Sequence, residues 1–485
     1  MASKVPVALC GCQKEGQAVE CGKDRLMDRK SALDAIDSIV LFDDFSDQEP
    51  IQNLKSLLAL SETQGGQTQL SAQFVQSLIR SLRQLPLMPD LSLWQNYFAN
   101  LILSSRNVEA VQLLLDSEQV DRGVLGKLLD RDLATLALLL LLPQELVAGS
   151  RAEAAFQPVG CSGLAGFKSA TPVMAIRRQL LSSLAKAILD NSGIEELCGT
   201  VRSTLSEAIR LLGPGPLGMS HVLSWCPPEG RLLESFSVEE CLSYLVPVME
   251  FDHITFDDLI GYEEQKERII QNTRQLSAGA ATNNILLYGD RGTGKSSMVK
   301  AAASAFASEG VRLIGIRREQ FRDIPALCET IGSLPQKFII FVDDLSFEEH
   351  ETEYKHMKAL LEGGVRIQPE NVVIYATSNR RHLVTERFSD VDGLNQRDTA
   401  EEKLSLSDRF GITLTFIAPS QKEYLRIVRT LAVRAGLDID REALERMAIR
   451  WAMRGNGMSG RTAKQFIRDL TGRLSSDGAT NVNDE

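Results

Sequence analysis

The eight residues from Gly289 to Ser296 constrain the fold more than any other stretch of the chain. They read GDRGTGKS and fit the pattern G-x-x-x-x-G-K-[ST] of a phosphate-binding loop. Such a loop joins a buried strand to a helix, and residues 285–288 and 297–303 predict a strand and a helix start on its two sides. A glycine turn that binds nothing is the alternative. The flanking strand and helix favour the phosphate loop.

In a loop of this kind, glycines let successive N–H groups turn inward toward phosphate oxygens, and the helix N-terminus adds partial positive charge. The lysine reaches the terminal phosphates, and the hydroxyl that follows it binds Mg²⁺. We therefore predict that ATP and Mg²⁺ are bound here, with Ser296 as a metal ligand. The predicted nucleotide-binding residues of the loop are Gly289, Asp290, Arg291, Gly292, Thr293, Gly294, Lys295, Ser296 and Ser297.

The chain has 485 residues, enough for two or three domains, and a net charge of −11. The acidic balance argues mildly against a protein that coats nucleic acid. Eight scattered cysteines favour a reducing cytoplasm over a disulfide framework. The longest apolar run, within 133–143, is too short to cross a bilayer. Near the N-terminus, Cys10, Cys12 and Cys21 fit free thiols in a flexible leader (residues 1–30) better than a metal site, because paired C-x-x-C spacing is missing.

Helical periodicity dominates the first half of the chain, and strands alternate with helices in the second. We predict an α-helical interaction domain over 31–250, an α/β core over 251–419, a helical lid over 420–474 and a disordered tail over 475–485. Alternation of strands and helices indicates a parallel sheet covered on both faces. The predicted strands number five: 285–288, 312–316, 338–342, 372–376 and 412–416.

Two of these strands end in polar residues. Residues 338–342 are followed by Asp343 and Asp344, and 372–376 are followed by Thr377, Ser378 and Asn379. Ligands bind at the carboxyl edge of parallel sheets, so these side chains are expected near the phosphates. Asp343 would hold Mg²⁺, Asp344 would orient or deprotonate the attacking water, and the amide of Asn379 would contact both γ-phosphate and water. A surface turn with two aspartates is the alternative.

Four arginines are further candidates. Arg409 stands just before the last strand, where a neighbouring subunit's active site is within reach, and Arg461 begins a helix of the lid. The alternatives are a salt bridge of Arg409 with Asp408 or Glu402, and a helix-surface role for Arg461. Arg380 and Arg381 follow Asn379 and fit either a phosphate contact or a solvated basic turn.

Residues 256 to about 470 resemble an AAA+ ATPase module, and stretches around Asp344, Asn379 and Arg409 are similar to a bacterial family of predicted AAA+ ATPases. The resemblance implies an adenine-packing box at 255–261, with Ile260 and Gly261 at the nucleotide. It also implies a Walker A loop, a Walker B strand that ends at Asp343 and Asp344, and Asn379 as sensor one. Arg409 resembles the arginine finger and Arg461 resembles sensor two. A homo-oligomer, with a ring as one form, follows from the same resemblance.

Two departures from that pattern matter. Most AAA+ enzymes end Walker B with Asp-Glu, whereas this chain has Asp343-Asp344, which is one methylene shorter and predicts slower hydrolysis. Members that thread polypeptide carry an aromatic–apolar–Gly loop after the second strand. The equivalent segment here is 317–322, with Phe321 as its one aromatic residue, which puts threading in doubt.

Three functions remain open at this point. The favoured one is an ATP-driven oligomer that remodels or assembles a protein partner recognised by residues 31–250. The second is a nucleotide-switch loader or regulator that binds nucleic acid through residues such as Arg317, Arg318 and Arg322. The third is a scaffold that binds ATP without hydrolysing it. The presence of Lys295 and of all the catalytic candidates argues against this function.

Overall fold

A computed structural model describes most of the chain beyond the N-terminal leader. It divides into two compact units, Met1–Ser220 with Val238–Ser243 and His221–Ser237 with Tyr244–Glu485. The described residues are 28–59, 67–83, 85–105, 114, 124–142, 146, 155–159, 171–190, 193–228, 235–249, 251, 254–345, 347–348, 357, 361, 368–379, 384–385, 409–454 and 457–476. The cysteines at positions 10, 12 and 21 lie outside these ranges.

Helices make up most of the described part of the first unit, which also contains an isolated bridge between Ser92 and Pro158. Its helices are α1 (Arg29–Asp37), α2 (Glu49–Ala59), α3 (Gln67–Leu82), α4 (Leu93–Ile102), α5 (Val124–Leu140), α6 (Pro172–Leu189), α7 (Ile194–Leu211) and α8 (Val238–Tyr244). Ser92 and Gln95 form a capping box that starts α4, and Thr171 caps α6 ahead of a proline at its first position. The apolar faces of α1 to α7 share a continuous core that includes Trp94.

A buried arginine ties two of these helices together. Arg177 of α6 is fully buried and donates to the Asn100 side chain of α4 at 2.9 Å and to the Gly218 carbonyl at 3.1 Å. Burial lowers the pKa of Arg177 to about 10. A buried charge costs free energy unless it is hydrogen-bonded, and these neutral oxygens supply the bonds. We expect this residue to stabilise the unit.

The second unit is built on a sheet of seven strands among the described residues. In spatial order these are β2 (Leu245–Pro247), β1 (Val222–Trp225), β4 (Val311–Ile316), β5 (Lys337–Val342), β7 (Val372–Ser378), β3 (Ile285–Gly289) and β9 (Ile412–Phe416). All neighbours pair in parallel except β1 and β2, which are antiparallel. A separate pair of two-residue strands joins β6 (Phe347–Glu348) to β8 (Val384–Thr385).

The expectation of a five-stranded, all-parallel sheet is therefore wrong in number and in direction. All five predicted strands are present, but β1 and β2 extend the sheet beyond β4. These two strands come from residues that we placed in the helical half of the chain. They have four and three residues, too few to show a period-two pattern, and β2 follows α8 without a break.

The central strands are buried on both faces, as their apolar runs require. Every residue of β7 is buried, and so are five of the six residues of β5. Helices α9 (Glu263–Ser277), α10 (Lys295–Ala305) and α11 (Ile324–Ile331) belong to the same unit. One core cluster joins Ile269 of α9, Val299 of α10 and Ile339 of β5. This packing fixes the carboxyl edge of the sheet, where the candidate site lies.

The lid consists of α12 (Gln421–Arg434), α13 (Arg441–Arg454) and α14 (Gly460–Ser476), which share an apolar core of their own. It is tied to the core by Arg434, whose guanidinium lies 3.0 Å from a carboxylate oxygen of Asp258 and donates to the Asp257 carbonyl. Hydrogen bonds from Thr255, with the backbone bond the strongest, lower the pKa of Asp258. Asp258 therefore stays charged opposite Arg434 at neutral pH.

In the described part of the chain, no helix combines the length and the apolar character that a membrane crossing requires.

Candidate active site

The phosphate loop is shaped by glycines that have no room for a side chain. A Cβ on Gly289, the last residue of β3, would lie 1.9 Å from the carbonyl oxygen of Phe416 in β9. Gly292 has φ +77°, and a Cβ there would lie 2.9 Å from the Ser459 hydroxyl of the lid. The chain can therefore turn from β3 into α10, and the lid can approach it, only because these positions are glycine.

Lys295 lies at the start of α10 and folds back over the loop. Its ammonium donates to the carbonyls of Gly289 and Asp290 at 2.9 and 2.8 Å and to the Asn379 Oδ1 at 3.1 Å. Partial burial lowers the pKa of Lys295, which the negative charges of Asp290, Asp344 and Asp343 oppose. The first turn of α10 leaves N–H groups without intrahelical acceptors, as a phosphate site requires.

Asp343 and Ser296 form the candidate metal site. The Ser296 hydroxyl donates to Asp343 Oδ1 at 2.6 Å, so both predicted metal residues lie on one side of the same cavity. Mg²⁺ prefers carboxylate and hydroxyl oxygens and keeps several waters. The donor set fits that ion, and Mg²⁺ bound here would neutralise charge on the phosphates.

Asp344 and Asn379 are hydrogen-bonded to each other. The Asn379 amide donates to Asp344 Oδ1 at 2.6 Å while its oxygen accepts from Lys295, so one amide links the second acid to the loop lysine. Asp344 has a left-handed backbone with φ 55°, a conformation that aspartate tolerates better than most residues. Both side chains line the cavity, as expected for groups that act on a terminal phosphate and its attacking water.

The cavity has a volume of about 660 Å³, a size typical of small-molecule sites. Apolar residues from both the core and the lid line it, including Leu259, Ile260, Ile427 and Leu431. A nucleotide needs this combination, because its base is apolar on both faces and its phosphates are charged. Ile260 lies where the sequence predicts. Gly261, with φ +89°, follows it but is not among the lining residues.

The lid brings Arg461 to the loop. The backbone N–H of Arg461 donates to the Gly292 carbonyl at 3.3 Å, and its exposed side chain lines the cavity. Ser459 caps α14 by accepting from Thr462 N at 3.1 Å. The lid helix therefore begins directly against the phosphate loop.

Most of the predicted loop residues line the cavity, whereas Gly289 and Asp290 shape the turn behind it. The lining residues are Arg291, Gly292, Thr293, Gly294, Lys295, Ser296 and Ser297. The Asp290 carboxylate accepts from Ala418 N at 2.6 Å, after β9.

Arg409 does not line this cavity. It precedes β9, which runs parallel to β3, so it lies near the amino ends of the strands while the phosphate loop follows a carboxyl end. Its two suggested partners, Asp408 and Glu402, lie outside the described residues, as do Arg380 and Arg381.

Sequence reasoning left several polar residues of the cavity unassigned, among them Thr377, Lys464 and Gln465. Thr377 bonds to both aspartates, and Lys464 and Gln465 line the cavity from the lid. Helical spacing offered a signal for Lys464, because it follows Arg461 by three positions on α14 and therefore shares its face. The polar end of the strand placed Thr377 at the correct edge of the sheet, but nothing in the sequence showed that its hydroxyl bonds to the two aspartates.

The sheet order completes the description. In the central order β4-β5-β7-β3-β9, the strand β3 that precedes the phosphate loop lies between β7, which precedes Asn379, and β9. Residues 233–474 match the family described as "Protein of unknown function (DUF815)", a family of predicted AAA+ ATPases. Over these residues the chain resembles the predicted AAA+ ATPases of that family, whose role is unassigned. No curated protein matches it at a significant level.

Solved structures resemble the chain in part. The Thermotoga maritima RuvB Holliday junction branch migration motor is 18% identical, with a TM-score of 0.34, over 47% of this chain and 68% of that one. The FIGL-1 AAA domain in complex with ADP is 19% identical, with a TM-score of 0.35, over 51% of this chain and 84% of that one. Similarity this low says nothing about what the present chain acts on.

Proposed function

We propose that this ATPase hydrolyses Mg·ATP as a homo-oligomer and uses the cycle to remodel or assemble a protein partner that its N-terminal helical unit recognises. One observation carries the ATPase cycle. Five polar side chains from three separate parts of the chain are linked by hydrogen bonds within a single cavity. They are Lys295, Ser296, Asp343, Asp344 and Asn379. These are the groups that position phosphates, metal and water in phosphoryl transfer.

The proposed division of roles follows from their positions. Lys295 and the N–H groups of the loop would bind the phosphates, and Ser296 with Asp343 would hold Mg²⁺. Asp344 would accept the proton of the attacking water, which Asn379 would help to orient. Arg461 would reach the nucleotide from the lid.

An oligomer is supported by the place of Arg409. Since Arg409 lies away from its own cavity, it would complete a site only in an adjacent subunit, in the way of an arginine finger. The proposal of a protein partner rests on the first unit, whose described helices pack around an apolar core and form no part of the candidate active site.

Threading of polypeptide is not part of this proposal. The segment after β4 is the 3-10 helix Arg318–Asp323, and its Phe321 is buried. Gln320 donates to the Trp225 carbonyl of β1 at 3.0 Å, and the Trp225 indole donates to Asp323 at 3.0 Å. A segment bonded to the added strand in this way presents no mobile aromatic residue to a substrate chain.

A role on nucleic acid remains the second candidate, and the charge of the lid favours it. Residues 421–476 contain twelve Lys and Arg against six Asp and Glu, in a chain whose net charge is −11. Arg317 and Arg322 are also exposed on the core. A polyanion would bind these residues through its phosphates, and added salt would weaken that binding.

The test uses Asp344→Asn in the full-length chain, with Asp438→Asn as a control at an exposed lid residue outside the cavity. We expect Asp344→Asn to bind ATP like wild type, to lose turnover, and to retain partner proteins in ATP that Lys295→Ala does not retain. Asp438→Asn should behave as wild type. Equal turnover in wild type and Asp344→Asn would contradict the proposal, and stimulation by DNA alone would favour the second candidate.

A further inference from the structure

Thr377 lies at the junction between the two acidic residues and the strand that carries Asn379. It is the sixth residue of β7, and β7 pairs with β5 up to the pair Val342 and Ala376. Thr377 therefore follows the last register pair, opposite Asp343. Thr377 is 2% exposed, and residues 372–376 before it are apolar except for the hydroxyl of Tyr375.

The hydroxyl of Thr377 bonds to both acidic residues at once. It donates its one proton to Asp343 Oδ1 at 2.6 Å and accepts the backbone N–H of Asp344 at 3.0 Å. A carboxylate only accepts, so the direction of both bonds is fixed. The Leu345 N–H also donates to the Thr377 carbonyl at 2.6 Å. Three consecutive residues after β5 are thus held by this one residue.

These bonds have different consequences for the two acids. Asp343 Oδ1 receives hydroxyl protons from both Ser296 and Thr377, which leaves Oδ2 for a metal-bound water. If Ser296 held Mg²⁺ instead, Thr377 would be the donor that still orients the carboxylate of Asp343. For Asp344, the bond to its N–H helps to hold the left-handed backbone that directs its side chain to Asn379.

We propose that Thr377 is the positioning residue that sets Asp343 for Mg²⁺ and Asp344 for the attacking water. The inference rests on the proposed function, and it extends that function to a residue whose hydroxyl bonds to both acidic residues. A buried hydroxyl costs free energy unless both its donor and its acceptor are used. Here Asp343 accepts the hydroxyl proton and the N–H of Asp344 donates to the hydroxyl oxygen. If only the strand had to be stabilised, a valine would be sufficient at this position.

The decisive variants are Thr377→Val, which keeps the branched shape and removes the hydroxyl, and Thr377→Ser, which keeps the hydroxyl. The matched control is Thr273→Val in α9, where a fully buried hydroxyl bonds to the Ile269 carbonyl and the Tyr375 hydroxyl away from the acids. Both valine variants lose two buried hydrogen bonds, so both should lower the thermal midpoint similarly.

Two measurements separate positioning from mere stability. We expect Thr377→Val to lower kcat by about 10- to 100-fold, the range for losing a hydrogen bond to a charged group, and to raise the KM for Mg·ATP. In calorimetric titrations with and without Mg²⁺, the same variant should lose most of the gain in ATP affinity that Mg²⁺ gives wild type. Thr377→Ser should recover both properties to within a few-fold, and Thr273→Val should keep them.

The outcomes distinguish this inference from the proposed function. Turnover and Mg²⁺ dependence in Thr377→Val equal to those of Thr273→Val would overturn the role of Thr377 while leaving an active ATPase. A serine variant as impaired as the valine variant would also overturn it. If wild type binds Mg·ATP without turnover, the proposed function fails, and the Mg²⁺-dependent gain in affinity still decides Thr377. The absence of that gain in wild type would refute both.

Discussion

The contact between the lid and the phosphate loop yields the sharpest prediction, because the chain carries its own control. Gly292→Ala places a Cβ at φ +77°, 2.9 Å from the Ser459 hydroxyl and 3.3 Å from the Arg461 Cβ. Gly436→Ala places a Cβ at φ +67° with nothing within 4 Å. Both variants bear the left-handed penalty of about 1–2 kcal/mol, and only the first forces the lid away from the loop.

The backbone strain and the displacement of the lid can be separated, because the first affects the thermal midpoint and the second affects ATP affinity. For a unit of this length, about 1 kcal/mol lowers the thermal midpoint by roughly 2–4 °C, so both variants should unfold a few degrees early. Only Gly292→Ala should lose ATP affinity, because the lid would then hold Arg461 away from the nucleotide that we propose it contacts. A bond to a charged group is worth about 1.5–3 kcal/mol, which corresponds to roughly 10- to 100-fold in Kd.

The assay is isothermal titration of Mg·ATP into each variant, with scanning calorimetry for stability. Adding Ser459→Gly to Gly292→Ala removes the nearest clash and should recover part of the affinity, since glycine is a fair helix cap. Wild-type affinity in Gly292→Ala would refute the reasoning. So would an equal loss of affinity in Gly436→Ala, because backbone strain alone would then explain it.

Two further predictions concern the nucleotide and the assembly. Lys295→Ala should weaken Mg·ATP binding by about 10- to 100-fold, because a charge-assisted contact is lost, and unchanged affinity by titration would remove the lysine from the site. Arg409→Ala should bind ATP normally and lose most turnover. Mixing it with Lys295→Ala should restore some activity, since an intact loop can then meet an intact finger. Wild-type activity per mole that stays flat across a dilution series, with a monomer in sedimentation, would contradict the trans-acting finger.

Long apolar runs and their polar ends could be read from the sequence because burial on both faces leaves a strong signal. The strand at 412–416 matches β9, and that at 285–288 falls one residue short of β3. Ligands bind at the carboxyl edge of a parallel sheet, so the sequence alone predicts that Lys295, Asp343 and Asn379 lie close together. Each of these predictions depends on a residue's position along a strand, which the sequence states directly.

Other features depend on three-dimensional contacts that leave no pattern. The left-handed backbone of Asp344 follows from its bonds to Thr377 and Asn379, which are more than thirty positions away. β1 and β2 are short and gain their stability from pairing with β4 and with each other, so local propensity does not mark them. Arg409 shows the same limit, because its proposed target belongs to another subunit.

The added strands have a consequence for anyone who wishes to express the ATPase module alone. A chain begun at residue 251, where the helical pattern ends, would lack both strands and leave β4 at the edge of the sheet. The Leu313 N–H, which now donates to the His221 carbonyl at 2.8 Å, would face solvent on an apolar strand. A chain begun at residue 233, where the family match starts, would keep β2 without its partner β1. Open, flat, apolar edges recruit strands from other molecules, so both truncations should aggregate. A chain that begins before residue 221 keeps β1 and β2 as the short edge strands of the sheet, with the proline of β2, and should give a monodisperse preparation.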